Sequence, residues 1–231
     1  LKHFAGNSQE TKRFTSDSVI DERTLREIYL TAFEIAVKEG RPKTVMCAYN
    51  KLNGIHCSDH KKLLTDVLRD EWGHQGIVVT DWGAMNDRIE GFKAGCDLSM
   101  PGGSDYMEAD VANAVRSGAL EEAVIDENVD RMIDLILQSA ARLQKDAAFD
   151  QKAHHELAKA AAGEGIVLLK NKDNILPLQE GTKVALVGKM AEKIRYQGAG
   201  SSHINPTKLT QPKNVISHTA FAVGCDERGN T

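Results

Sequence analysis

A chain of 231 residues with 41% apolar and 27% charged residues has ordinary globular composition, enough for one large α/β domain or two smaller ones. Its formal net charge of −4 argues against a nucleic-acid partner, and no window reaches the apolar length of a membrane span. Cys47, Cys57, Cys96 and Cys225 show no CxxC spacing; in a chain this long they read as free, mostly buried thiols of a reducing compartment, hence a cytoplasmic location.

The chain opens LKHFAGNSQE, without an initiator Met or a signal peptide, and stops in the turn-like run CDERGNT. Both ends are expected to be internal to a longer protein. Asp21 to Glu39 reads as an amphipathic helix with Leu25, Ile28, Ala32, Ile35 and Ala36 on its apolar stripe, stopped by Gly40 and Pro42. TVMCAY, 44–49, reads as a buried strand. Ser58 is expected to cap a helix carrying Leu63, Leu64, Val67, Leu68 and Trp72, closed by Gly73. A strand Ile77–Asp81 follows, then a short helix near 85–93 and a shorter strand in AGCDLSMPG. Helices are expected at 107–117 and 126–144, the second with Val129, Met132, Ile133, Ile136, Leu137, Ala140 and Leu143 on one stripe. Near residue 150 the pattern changes to a linker and a new helix, so 1–150 and 151–231 read as separate domains. GIVLLKN and KVALVG then read as two further buried strands, with a turn at NILPL between them.

Strands alternating with helices imply parallel βα units, and continuous apolar runs imply strands covered on both faces. Such folds place their chemistry at the carboxyl ends of the strands. Asp81, in GIVVTDWGA, stands at such an end; Lys2 and His3, Tyr49 and Asn50, and Asp97 hold comparable positions in their own units.

KHFAGNSQE, VMCAYNKLNG, LLTDVLRDEWGHQGIVVTDWGA, AGCDLSMPG, EGIVLLKN, KVALVG and GAGSSHINP occur in that order. Together they resemble glycoside hydrolase family 3, the β-glucosidase group, over nearly the whole chain. The resemblance implies an α/β fold: the C-terminal part of a (β/α)8-type barrel, then the start of an α/β sandwich domain. A closed barrel takes about 250 residues, so roughly half of it would lie outside this chain. The family's early residues that bind the nonreducing sugar would lie there too. The implied reaction is release of a β-linked nonreducing-end glucose, or a related sugar, from a glucoside or oligosaccharide through a covalent glycosyl-aspartate intermediate.

A retaining glycosidase needs two carboxyl groups about 5–5.5 Å apart, one to attack and one to protonate the leaving oxygen. Asp81 matches the family's nucleophile; the structural alternative is an Asp capping the next helix. Trp82 would offer an apolar platform to a sugar face, the alternative being a core Trp. Lys2 and His3 match the family pair that bonds sugar hydroxyls, the alternative being a frayed terminus. KHFAGN departs from the KHFPGHG form of the family's N-acetylglucosaminidases, which favours the glucosidase branch. Tyr49 matches a tyrosine beside the nucleophile whose hydroxyl could donate to Asp81; otherwise it is a half-buried strand Tyr. Met100 resembles a pocket-lining residue or simply fills a gap. Ser201, Ser202 and His203 lie in a glycine-bearing loop that would face the barrel, Ser202 being the candidate contact; the alternative is a surface turn. The acid/base stays unassigned, since nothing marks Glu164, Glu192 or Glu227.

Neither a metal nor another cofactor is expected. Gly188, Gly198 and Gly200 do not make a GxGxxG turn, and His56 and His60 do not form HExxH. Two alternatives remain open: a catalytically incomplete fragment or carbohydrate-binding remnant, and a phosphorylase passing the glycosyl group to phosphate. Uncovered strand edges and apolar faces also lead us to expect self-association.

Overall fold

The computed structural model describes residues 1–102, 105–198, 200–217 and 219–225, and the chain divides into two compact units, Leu1–Ala147 and Ala148–Thr231. In the first, β1 (Asp17–Ser18), α1 (Glu22–Thr24) and α2 (Thr31–Gly40) precede β2 (Thr44–Cys47). Next come β3 (Lys51–Leu52), β4 (Ile55–His56), a helix Lys62–Glu71, β5 (Ile77–Thr80), α3 (Arg88–Ala94), α4 (Asp105–Ser117) and α5 (Glu122–Arg142). The second unit holds α6 (Gln151–Gly165), β6 (Val184–Val187), α7 (Pro212–Val215) and β7 (Thr219–Ala222).

Four parallel segments of the first unit stand side by side in the order in which the chain makes them. β2 pairs with β5, Val45 opposite Val78 and Cys47 opposite Thr80. Parallel bridges continue the array outward, from Phe4 to Cys47 and from Val79 to Leu98. Each segment leads into helix, which is the construction of an arc of βα barrel. Phe4, Val45 and Val78 are fully enclosed, as parallel strands covered on both faces require. Gly76 lets β5 start against β2: a Cβ there would lie 2.1 Å from the Lys43 carbonyl oxygen. A hairpin joins β3 to β4 through Asn53 and Gly54, whose φ values of 51° and 91° suit a two-residue turn.

Residues 22–40 form one continuous helix, opened by the Asp21 carboxylate, which accepts the Thr24 N–H. Its buried face differs from the expected stripe: Leu25, Leu30 and Val37 are buried, whereas Ile28 and Ile35 are exposed. The stretch Leu25–Leu30 is wound as a π-helix, and its wider turn shifts the phase of everything after it. The stop is Arg41, left-handed at φ 46°, rather than Gly40.

Ser58 does not cap the next helix; its hydroxyl donates to Asp59, and the buried His60 ring accepts the Leu63 N–H through Nδ1. On α5 the expected stripe is largely exposed at Val129, Ile133, Ile136, Leu137 and Leu143. The inward line runs instead through Val124, Asn128, Arg131 and Leu135. Asn128 and Arg131 face inward because the Asn128 amide reaches the Phe92 carbonyl and Arg131 reaches Asp97.

In the second unit β6 and β7 pair in parallel, with side chains alternating between half-buried and exposed rather than fully buried. Ile166, Val167, Leu168 and Leu169 are exposed and form no strand, against expectation. Strand propensity is realised only where a neighbour supplies ladder bonds and cover. No helix among the described residues is long and apolar enough to cross a membrane.

Burial pushes the His74 pKa down to about 4 from an ordinary 6.5. The unfolded chain therefore binds a proton that the folded chain refuses between these two values. Stability present above pH 6.5 is lost as the pH falls toward 4, and His60, also lowered by burial, acts with the same sign. Urea unfolding across this range should show that decline, with a shallower slope in His74→Gln.

Candidate active site

Thr80 ends β5, and Asp81 follows it out of the sheet with its backbone N–H on the Cys47 carbonyl. Its Oδ1 accepts the N–H of Trp82 at 2.7 Å, which fixes the plane of the carboxylate. Oδ2 is left facing His3, whose Nε2 stands 3.3 Å away. The helix that follows is capped by Asp87, whose carboxylate accepts the N–H groups of Ile89 and Glu90. Asp81 therefore makes no cap, and its outer oxygen faces His3.

Tyr49 leaves β2 at the same end of the arc. Its hydroxyl donates to the Trp82 carbonyl at 2.8 Å, with the Asp81 carboxylate as a neighbouring hydrogen-bond partner. Burial raises the Tyr49 pKa, and the neighbouring Asp81 carboxylate raises it further, so the phenol stays neutral and can donate. Tyr49 thus steadies the turn that carries Asp81. Trp82 is 55% exposed, which removes it from the core and leaves its ring open to solvent. Lys2 is exposed beside His3. Met100 is half-buried and serves through its backbone: its N–H donates to Thr80 Oγ1, and its carbonyl accepts the Gly83 N–H.

His3, Tyr49, Asp81, Trp82 and Met100 are thus linked by contacts in the first unit. Ser202 lies in the second, exposed, in the turn Gly200–Ser202. Two other strand-end residues have inward structural roles. Asn50 is buried and donates to the carbonyls of Ala5 and Lys51. Asp97 is enclosed between Arg69 and Arg131. Glu164 is in the second unit with Glu192, and Glu227 lies outside the described residues.

The pair Arg13 and Phe14 escaped the reading of the sequence. The Arg13 guanidinium lies 4.2 Å above the centroid of the Tyr49 ring, and Phe14 meets the same ring edge-on at 4.5 Å. A cation beside an aromatic in the loop after the first strand segment was the available signal.

Residues 1–135 match the glycosyl hydrolase family 3 N terminal domain, and residues 166–222 match the glycosyl hydrolase family 3 C-terminal domain. The chain belongs to glycosyl hydrolase family 3. This family 3 chain is 52% identical over 209 residues to thermostable beta-glucosidase B of Acetivibrio thermocellus, covering 90% of the chain and 28% of that protein. It is 49% identical to an exo-alpha-(1->6)-L-arabinopyranosidase of Bifidobacterium longum, covering 91% of the chain and 29% of that protein. Among solved structures, a Bifidobacterium adolescentis beta-glucosidase superposes with a TM-score of 0.85 at 45% identity, covering 98% of the chain and 34% of that structure. Beta-glucosidase 3B of Thermotoga neapolitana, in complex with glucose, gives 0.85 at 39% identity, covering 98% and 33%. The family 3 chain therefore spans about three tenths of the length of the relatives named.

The separation of roles between Asp81 and Asp87 is measurable by urea unfolding. Asp87→Ala should cost about 0.5–2 kcal/mol of stability through loss of the cap. Asp81→Asn should stay within about 0.5 kcal/mol of the parent.

Proposed function

We propose that this chain carries the nucleophile of a retaining exo-glycosidase acting on β-linked glucosides, on the later part of a (β/α)8-type barrel, followed by the opening of an α/β sandwich. The observation that carries the reading is the Asp81 carboxylate: held by one backbone N–H, free of any helix cap, with Oδ2 3.3 Å from His3. In this reading Oδ2 attacks the anomeric carbon while the glycosidic oxygen leaves, and water later cleaves the Asp81–sugar ester. His3 and Lys2 hold sugar hydroxyls, and Trp82 packs against the C–H face of the ring. Met100 lines the pocket. Water as acceptor makes the enzyme a hydrolase rather than a phosphorylase. The names of the relatives, a beta-glucosidase and an arabinopyranosidase, leave the sugar as glucose or a closely related pyranose.

A cytoplasmic location belongs to the same proposal, supported by the buried thiols of Cys47, Cys57 and Cys96. Self-association belongs to it too, supported by the exposed run Ile166–Leu169.

The general acid is not needed when the leaving group departs as a stable anion. A 2-deoxy-2-fluoro-β-glucosyl donor carrying dinitrophenolate therefore tests the nucleophile alone. The expected result is a covalent adduct mapped to Asp81 by peptide mass, and none in Asp81→Asn. An adduct on another residue, or equal labelling of the variant, overturns the assignment. Substrates with poor leaving groups should react about 10²–10⁴-fold more slowly wherever positioned proton transfer is lacking.

A further inference from the structure

Asp97 leaves the fourth parallel segment beside β5, and its side chain is wholly shielded from solvent. Its Oδ2 accepts from Arg69 at 2.8 Å and from the Val78 N–H at 2.6 Å; its Oδ1 accepts from Arg131 Nε at 2.7 Å. The three donors come from three elements: the helix Lys62–Glu71, β5 and α5. Arg69 also reaches the carbonyls of Gly76 and Gly95, and Arg88 on α3 reaches those of Cys96 and Asp97. The chain at residues 95–97 is thereby tied to the helix Lys62–Glu71, α3 and α5.

Residues 97–100 run along the strand that carries the nucleophile. The Asp97 and Leu98 N–H groups donate to the Val78 carbonyl, and the Thr80 N–H donates to the Leu98 carbonyl. The Met100 N–H donates to Thr80 Oγ1, and the Gly83 N–H donates to the Met100 carbonyl. Every one of these bonds falls within three residues of Asp81, and they grip it from both sides. We propose that Asp97, clamped between Arg69 and Arg131, is a positioning residue for Asp81: it fixes the 97–100 segment as the template that aims the nucleophile. The proposal rests on the glycosidase reading for its chemical consequence, but its geometric content stands apart. Asp97 touches no substrate; it acts through β5.

Arg131→Met removes one charged donor at similar length, and Arg131→Lys keeps the charge without the fork. Arg26→Met, which breaks a surface pair with Glu71 elsewhere, is the control. Residue-resolved amide exchange is the first readout. The amides of Val78, Thr80 and Gly83 should exchange about tenfold faster in Arg131→Met than in the parent. Those of Met46 and Ala48, which donate away from β5 to Leu1 and Phe4, should keep their rates, as should all five in Arg26→Met. Uniform loss of protection, or none at the three named amides, overturns the clamp whatever the enzyme does. The second readout is the rate of fluoroglucoside labelling per folded molecule. It should fall about tenfold at saturating reagent, with half-saturation unchanged, and recover in part in Arg131→Lys. Labelling at the parent rate overturns the positioning role. A parent protein that takes no label, with the amide pattern as expected, fails the glycosidase reading and leaves the clamp standing. Should Arg131→Met not fold, Arg131→Lys carries both measurements, and an unchanged amide pattern there overturns the proposal.

Discussion

A carboxylate taken out of water must be satisfied in full, and the first unit is arranged around one that is. Asp97 receives two guanidinium groups and a backbone N–H, and loss of one partner from such a buried cluster costs on the order of 3–5 kcal/mol. The gain is geometric. Hydrophobic burial around Phe4, Leu64, Val78 and Leu68 is non-directional and would tolerate a strand sliding along its neighbour. The ion cluster does not: Val78 must sit opposite Asp97, and α5 must present Arg131 to the same point. Packing supplies the bulk of the stability, and the buried charge supplies the register.

That division explains why the strand ends are available for chemistry. β5 is locked at Val78 and Thr80 by atoms of the 97–100 segment, so the Asp81 side chain need contribute nothing to holding the strand. Helix α3 takes its cap from Asp87, which relieves Asp81 of that duty as well. Tyr49 bonds the carbonyl of Trp82, so the turn is fixed while Oδ2 faces His3. Trp82 is exposed at the rim.

Strands β2 and β5 were legible because a strand covered on both faces must be apolar throughout, and IVVT and TVMC are close to that. Helix existence was legible for the same reason of periodicity, but helix faces were not. On α5 the more hydrophobic stripe points outward, because Asn128 and Arg131 find buried carbonyl and carboxylate partners that no local pattern reveals. In the 22–40 helix the π-wound stretch turned Ile28 outward, a phase shift that a fixed 3.6-residue period cannot register. At Ile166–Leu169 an apolar β-branched run forms no strand, since pairing is a property of neighbours and not of the run. At the candidate site, Asp81 stood out because a carboxylate ending an apolar strand is chemically incongruous. Arg13 did not, because its approach to Tyr49 closes only in three dimensions.

In the arc of the first unit, spatial order and chain order coincide: residues 1–4, β2, β5 and Leu98 are laid down left to right as they are written. Each new strand meets a neighbour made about 20 to 40 residues earlier, so the loops closed on folding are short and their entropic cost grows slowly. Such an array can assemble by accretion while the ribosome is still delivering it, every unit docking on an edge that is already built. Arg131 is the last member of the cluster along the chain, so a protein cut before α5 would keep the residues of all four parallel segments yet leave Asp97 one guanidinium short.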